Sequence, residues 1–304
     1  MVVRLPLEVE LYRNHKHSKL GQKLQNEINQ HDDSYLATAQ SLIEDSMLAI
    51  AEQASDNGQL DATALKGEAA EMLQLFLDHQ ETWQEVCLVL EMDEQHAVTL
   101  VLNRPMALKL TPHLGQLVLN GAYSRSRSTT VDLDRFLSAF GNECAVYIGG
   151  PDGQDQPAEL IHGIKDLPGA TLVAPGIYRG GLQAAVDGVL KGIYQPLDFR
   201  FFVGRHDYEE TMLHVAVVLG KLQPVACSRT LALKQCLSLP KPLWHEVLEL
   251  CGDELAEISK FESQKRDDLN FQIIDDDDED DDEIEDELDE LDRFDDDDED
   301  YYLN

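Results

Sequence analysis

The sequence is poor in long apolar runs, and this shortage limits where the protein can act. No apolar stretch of the 304 residues approaches the roughly 20 residues that a helix needs to span a bilayer. The apolar run that follows Met1 is also too short for a secretory signal. We therefore expect a soluble intracellular protein with no membrane partner.

Cysteine is scarce and shows no pairing pattern. The chain has five cysteines, an odd number, with no Cys-x-x-Cys pair and no histidine at the spacing of a local metal site. Cys87 and Cys144 fall inside apolar runs, where a free thiol behaves as a small buried side chain. We expect a reducing compartment, no structural zinc site, no other metal and no cofactor.

Basic residues are few. The chain has 24 lysines and arginines against 59 acidic residues, which gives a net charge of -35. Residues 275–300 hold 21 of the acidic residues and one arginine, so this segment alone carries a charge of -20. Because nucleic-acid affinity depends on cations that neutralise phosphates, we expect no direct binding to DNA or RNA.

The acidic end of the chain, residues 263–304, is predicted to be a disordered tail. It cannot bury enough apolar surface to offset the entropy lost on ordering. Such a tail can hold a basic protein partner, weakly chelate divalent cations, or only keep the protein soluble. Five side chains interrupt the charge and leave room for a short motif that folds on a partner: Leu288, Leu291, Phe294, Tyr301 and Tyr302.

The rest of the chain divides into three parts by its patterns. Residues 1–30 show no firm periodicity and are predicted to form an N-terminal arm. Residues 31–80 carry apolar positions at three- and four-residue intervals, which predicts a helical hairpin with Ser34 and Asp61 as the two N-caps. Residues 81–262 are predicted to form one domain.

Strand and helix patterns alternate through that domain. Apolar runs at 86–90 and 97–102 predict a hairpin of two strands that are covered on both faces. Further strands interleave with helical segments as far as a last helix, which Gly252 ends. This order predicts an α/β fold, on the border of α+β, with a mixed β-sheet flanked by helices.

Three short motifs place turn formers directly behind strand-forming residues. They are Leu102-Asn103-Arg104-Pro105, Tyr147-Ile148-Gly149-Gly150-Pro151 and Asp198-Phe199-Arg200-Phe201-Phe202-Val203-Gly204. Each motif ends a strand, so we expect the three strand ends to meet at one rim.

These motifs resemble the AlgH/YqgE family, and in particular its plant and algal members. Bacterial members carry a Leu-Asn-Arg-Pro turn, a Gly-Gly-Pro turn and a Leu-His strand end. The same order recurs here at Leu102 to Pro105, Gly149 to Pro151, and Ile161-His162. The plant-like branch adds the Asp198 to Gly204 strand and a Trp-x-Glu-x-Leu helix at Trp244. The resemblance covers about residues 85–260.

The resemblance implies a compact α/β protein, linked in bacteria to the regulation of exopolysaccharide genes, with no agreed enzymatic activity. The chain departs from the family pattern after Gly204, where Arg205-His206-Asp207-Tyr208 stands in place of a Tyr-Ala-Gly-Trp segment. A rim lined by glycine and aromatic residues has become charged. A ligand of the family is therefore not transferred to this chain.

Seven residues of the predicted rim are candidates for binding a small anion: Asn103, Arg104, Gly149, Gly150, His162, Arg179 and Gly180. Arginine offers a planar fork for carboxylate or phosphate, and Arg179-Gly180 precedes a predicted helix whose N-terminus would assist. Each candidate also has a structural interpretation. The asparagine caps a strand end, the arginines pair with acids, the glycines form tight turns, and the histidine is a hydrogen-bonded rim residue.

No catalytic motif supports an enzyme. The sequence has neither a Gly-x-Ser-x-Gly elbow nor a His-Glu-x-x-His pair. His206 and Asp207 are adjacent, but neighbouring side chains of a strand point to opposite faces. We expect a noncatalytic regulatory or interaction protein that acts through protein contacts. The alternative is a small-anion-binding protein or an enzyme that uses the rim around Arg104, His162 and Arg179.

The compartment stays open between plastid and cytoplasm. The resemblance to plant and algal proteins favours a plastid. The first residues do not resemble a transit peptide, because they include Glu8 and Glu10 and lack serine enrichment.

Overall fold

The structure, a computed structural model, describes residues 1–30, 34–53, 60–122, 131–209 and 211–265. None of the helices in these ranges is both long enough and apolar enough to cross a membrane. The strands are β1 (Val2–Arg4), β2 (Val86–Met92), β3 (His96–Val101), β4 (Pro105–Ala107), β5 (Ala145–Ile148), β6 (Glu159–His162), β7 (Ala170–Ala174), β8 (Ile177–Gly180), β9 (Phe199–Val203), β10 (His206–Glu209) and β11 (Leu222–Pro224). The helices are α1 (Leu7–Arg13), α2 (Lys19–Ile28), α3 (Tyr35–Ala51), α4 (Glu68–Glu81), α5 (Pro112–Asn120), α6 (Leu133–Phe140), α7 (Leu182–Leu190), α8 (Met212–Val218), α9 (Arg229–Ala232), α10 (Leu243–Cys251) and α11 (Asp253–Gln264).

Two sheets organise this α+β fold. The antiparallel sheet has the strand order β10-β3-β2-β1-β11. The mixed sheet has the order β4-β5-β9-β6-β8-β7, and it is mixed because β5 and β9 run parallel. The predicted mixed sheet flanked by helices is therefore confirmed. The hairpin predicted from the first two apolar runs forms as β2 and β3, but it lies in the separate antiparallel sheet.

One face of the mixed sheet is covered by α5, α6 and α7. Phe136 and Phe140 of α6 meet Phe201 edge to face, with ring centroids 5.4 and 5.0 Å apart. Both helix residues are fully buried. Burying one phenylalanine side chain contributes about 1.5–3 kcal/mol, so this aromatic cluster fixes α6 on the sheet. The opposite face carries Tyr147 and Phe202, and it packs toward the antiparallel sheet and α10.

Long-range hydrogen bonds join the segment that contains α9 and α10 to both sheets. The Trp244 indole of α10 is buried and donates to the backbone oxygen of Arg4 at 2.7 Å. The buried Arg200 guanidinium of β9 donates to the carbonyl oxygens of Ala232 and Lys234 at 3.0 and 3.1 Å. Burial lowers the pKa of Arg200 to about 10. These carbonyl contacts supply the hydrogen bonds that a buried charge requires.

The first 30 residues, expected to form an arm without periodicity, contain β1, α1 and α2. Strand β1 lies between β2 and β11 in the antiparallel sheet. Its Arg4 side chain is buried and paired with Glu10 of α1 at 2.9 Å. The residues at positions 4, 8 and 10 are charged, so they interrupt the apolar periodicity that would predict a strand or helix here. A buried ion pair therefore leaves no apolar signal in the sequence.

The predicted helical hairpin corresponds to α3 and α4, which pack with α1 and α2 around an apolar cluster. Asp61 does not cap α4, because its carboxylate accepts hydrogen bonds from Thr63 in a preceding turn. Instead, Gly67 stands at the N-cap, with φ of 63°. The disordered tail was predicted to begin at residue 263, but Ser263 and Gln264 belong to helix α11. The rest of the predicted tail lies outside the described residues from position 266 onward, and the domain boundaries stay predictions.

His79 of α4 makes stability depend on pH. Burial lowers the pKa of His79 from 6.5 to about 3, and the nearby positive charges of Arg4 and Lys265 act in the same direction. The folded protein therefore keeps His79 neutral, whereas the unfolded chain binds a proton below pH 6.5. The stability that this residue contributes is present above that pH and is lost as the pH falls.

We predict that the free energy of unfolding falls between pH 7 and pH 5 by roughly 2 kcal/mol because of His79 alone. Replacing the residue with glutamine, His79→Gln, keeps a polar side chain that does not titrate. Urea unfolding of both proteins at the two pH values measures the difference. An identical loss of stability in the variant would show that His79 is not buried as a neutral group.

Candidate functional site

The predicted meeting of three strand ends is present as a direct backbone junction. The Gly149 N–H donates to the Val203 oxygen at 2.8 Å, and the Gly149 oxygen accepts from the Val101 N–H at 2.9 Å. The ends of β5, β9 and β3 are therefore hydrogen-bonded to one another. The chain continues from β9 through Gly204 into β10, so it passes here from the mixed sheet to the antiparallel sheet.

The glycines of this junction allow the backbones to approach closely. A Cβ atom at Gly149 would lie 2.3 Å from the Gly204 oxygen. One at Gly204 would lie 2.2 Å from the Gly150 oxygen, and Gly204 also has φ of +74°. A side chain therefore fits at neither position. These glycines allow the backbone after β5 to pack directly against the backbone after β9, which is a structural role.

Asn103 caps the start of β2. Its Oδ1 accepts from the Val86 N–H at 2.9 Å, and its Nδ2 donates to the Gln84 oxygen at 2.8 Å. Both ends of the side-chain amide are thus engaged with the backbone of one neighbouring segment. This is the structural role that the sequence offered beside anion binding.

Arg104 joins the end of α4 to the start of β2. Its Nη2 donates to the Glu81 oxygen at 3.0 Å and lies 3.3 Å from Oε1 of Glu85. The guanidinium is about one third exposed, whereas the Glu85 carboxylate is buried. A buried carboxylate requires a partner, and Arg104 supplies the positive charge.

His162 is buried at the end of β6 with both ring nitrogens in contact with backbone. Its Nδ1 accepts from the Ile164 N–H, and its Nε2 lies beside the Gly180 oxygen, each at 3.2 Å. Because a carbonyl oxygen only accepts, Nε2 carries the proton and the ring is neutral. Burial lowers the pKa of His162, which agrees with a neutral ring.

Arg179 and Gly180 belong to a different place. The Arg179 side chain lies 3.3 Å from Glu91, and both groups are partly exposed. Glu85 directly precedes β2 and Glu91 is its next-to-last residue, so Arg104 and Arg179 contact opposite ends of the strand, roughly 20 Å apart at the rise of an extended strand. The structure therefore divides the candidate residues between the junction and the far end of β2.

A cleft of about 320 Å³ opens beside Arg179, with Gly180, His96, Glu159 and Arg205 also on its wall. Arg205 donates to Asp207 at 2.7 Å and to Gln156 at 2.8 Å. Its pKa is raised, chiefly by the hydrogen bond to Asp207. The cleft thus presents two guanidinium groups, each of which already contacts an acceptor.

A side-chain cluster that sequence reasoning missed lies at the start of β2. Among the described residues, Glu85, Cys87 and His206 place a carboxylate oxygen, a sulfur and a ring nitrogen within 4.8 Å of one another. The His206 Nε2 lies 3.0 Å from Oε2 of Glu85. These two residues are 121 positions apart, so local ligand spacing gave no signal. Asp207 points to the other face and meets Arg205 instead.

The part of the chain that contains the three motifs matches a known protein family. A family model described as AlgH-like matches residues 72–256. The chain belongs to the AlgH-like family. The resemblance to the AlgH family that was inferred from the strand-end motifs is therefore confirmed, whereas membership of the plant and algal branch stays a prediction. The AlgH-like match begins within α4 and ends within α11, so β1 lies before it although β1 completes the antiparallel sheet.

Two solved structures are similar to this AlgH-like chain. A protein from Corynebacterium diphtheriae has 13% sequence identity and a TM-score of 0.42, with 64% of this chain and 86% of that chain covered. The AlgH protein from Pseudomonas aeruginosa, a solution structure, has 19% identity and a TM-score of 0.41, with 60% and 86% covered. No curated protein matches the chain.

Proposed function

We propose that this AlgH-like protein is a noncatalytic regulatory module that acts through contacts with other proteins. The main support for this proposal is that the polar side chains at the strand ends already bind other groups of the same chain. Asn103 and His162 bind backbone groups of their own chain, and Arg104 neutralises Glu85. Groups engaged in this way hold the fold and leave little for a substrate.

The thiols also support a noncatalytic role. Burial raises the pKa of Cys144 and of Cys236 to about 11, and it raises that of Cys87 further. A thiol with a raised pKa stays protonated near neutral pH, and the protonated form is a poor nucleophile. These thiols therefore lack the activation that a catalytic thiol requires.

In this proposal the acidic tail, residues 263–304, contacts a basic partner. Its segment 275–300 carries a charge of -20, which attracts a partner rich in lysine and arginine. The apolar and aromatic residues between the acids would add specificity, because they offer buried contacts that a purely charged tail lacks. Plastid and cytoplasm are both proposed as compartments in which to seek such partners.

We predict that neutralising the tail removes most partners of the protein. In the test variant, every Asp and Glu of residues 275–300 is changed to Asn or Gln, so length and shape are kept. Affinity purification near physiological salt should recover the partners with the wild type only, since charge attraction is lost. A second variant changes Leu288, Leu291 and Phe294 to serine and keeps the charge, so it should still recover basic partners, although with lower specificity. An unchanged set of partners for the neutralised variant contradicts the role of the tail.

A second function, binding of a small anion, is favoured by the cleft beside Arg179. Two arginines lie on its wall, and the ion pair of Arg179 with Glu91 is exposed. Exposed pairs of this kind contribute about 0–1 kcal/mol, so an incoming phosphate or carboxylate can displace Glu91 at small cost. A compact anion fits a cleft of about 320 Å³.

Thermal-shift measurements with phosphate, nucleotides and carboxylates test this second function. A true ligand at 100 times its Kd stabilises the protein by about 2.7 kcal/mol, and Arg179→Ala should abolish that gain. The matched control is Arg135→Ala, which removes a surface arginine paired with Asp187 on another face. Absence of any shift, or an equal shift in the Arg179 variant, rules out an anion site in this cleft.

A further inference from the structure

We propose that Glu85, Cys87 and His206 form a binding site for one zinc ion. The three residues supply an oxygen, a sulfur and a nitrogen donor, and all three side chains are buried. This site is separate from the cleft beside Arg179. It is also independent of the proposed role in protein contacts, because neither the tail nor a partner takes part in it.

The pairing of three strands brings the donors to one face of the antiparallel sheet. His206 of β10 stands opposite Thr99 of β3, and Thr99 stands opposite Val89 of β2. Cys87 lies two residues before Val89, and Glu85 two residues before Cys87, so both share that face. Helix α8 covers it, since Leu213 packs in the same apolar cluster as Cys87. The donors are thereby held by rigid strands and kept from bulk water.

The spacing of the donor atoms suits a tetrahedral ion. Zinc bonds to nitrogen and oxygen of about 2.0–2.1 Å place neighbouring donor atoms roughly 3.3 Å apart. The His206 Nε2 and the Glu85 Oε2 are 3.0 Å apart, and no donor pair in the cluster exceeds 4.8 Å. Small side-chain rotations therefore suffice to place an ion at bonding distance from all three donor atoms. The bonds to the ion would then replace the hydrogen bond between His206 and Glu85.

The donor set selects the kind of metal. Carboxylate oxygen alone would favour calcium or magnesium, whereas thiolate and imidazole together favour zinc over these two ions. Three protein donors leave a fourth tetrahedral position for water or another small ligand. On binding, Cys87 loses its proton to the solvent and the ion forms a bond to the thiolate sulfur.

Two neighbours of the cluster have the placement of supporting groups. Arg104 contacts Oε1 of Glu85, so it orients the carboxylate while Oε2 faces the cluster. The buried Thr99 hydroxyl lies beside the Cys87 thiol and the Tyr208 hydroxyl. From this position it can donate a hydrogen bond to a metal-bound thiolate and so support that ligand from outside the cluster.

Cobalt titration of the full-length, chelator-treated protein tests the proposal. Cobalt substitutes for zinc, and a bound thiolate produces an intense near-ultraviolet charge-transfer band that the carboxylates of the tail cannot produce. We expect this band to saturate at one ion per chain and to disappear on addition of zinc. Cys87→Ala should abolish the band, whereas Cys144→Ala, which removes an equally buried thiol elsewhere, should leave it intact.

A second variant keeps the test decisive if Cys87→Ala disturbs folding. Glu85→Gln preserves the shape of the side chain and an oxygen toward His206, and it should weaken cobalt binding about ten-fold or more while the band remains. Circular dichroism shows whether each variant is folded. Absence of the band in the wild type, or a band that survives in folded Cys87→Ala, overturns the proposal. A spectrum from carboxylate ligands alone overturns it as well, because it reports the tail only.

Discussion

The close crossing of Gly149 and Gly150 with Gly204 is the contact on which the rest of the fold depends. At this crossing the backbone atoms of two strand ends occupy the space where side chains would stand. The crossing joins β3, β5 and β9 by hydrogen bonds and passes the chain from one sheet to the other. The position of β10, and with it the meeting of His206 with Glu85 and Cys87, follows from this passage.

The N-terminal segment shows how the AlgH-like fold is completed in this chain. The family match starts at residue 72, yet β1 occupies the middle of the antiparallel sheet and joins β2 to β11. Trp244 then bonds the backbone of this strand from α10. Residues at both ends of the described chain therefore contribute to one sheet, and α1 to α4 pack beside it as a helical cluster.

The sequence was informative wherever local chemistry determines local structure. Turn formers behind apolar runs predicted the strand ends, and their order predicted the family, because these motifs are contiguous. The strand β1 was not predicted, because a strand of three residues is too short to show a periodic pattern and its last residue, Arg4, is charged and paired with Glu10. The rim was predicted as one site, but its two arginines lie apart: Arg104 contacts Glu85 at one end of β2, and Arg179 contacts Glu91 near the other. The cluster of Glu85, Cys87 and His206 depends on non-local strand pairing, which spacing in the sequence does not encode.

Unfolding of Gly204→Ala against Gly192→Ala tests the junction most directly. Both glycines have positive φ, +74° and +69°, but a Cβ at Gly192 meets no atom within 4 Å whereas one at Gly204 meets the Gly150 oxygen. The account predicts a loss of about 1–2 kcal/mol at Gly192, from the backbone conformation alone, and a clearly larger loss at Gly204. Equal losses in urea unfolding would contradict the claim that the two sheets are held by this crossing.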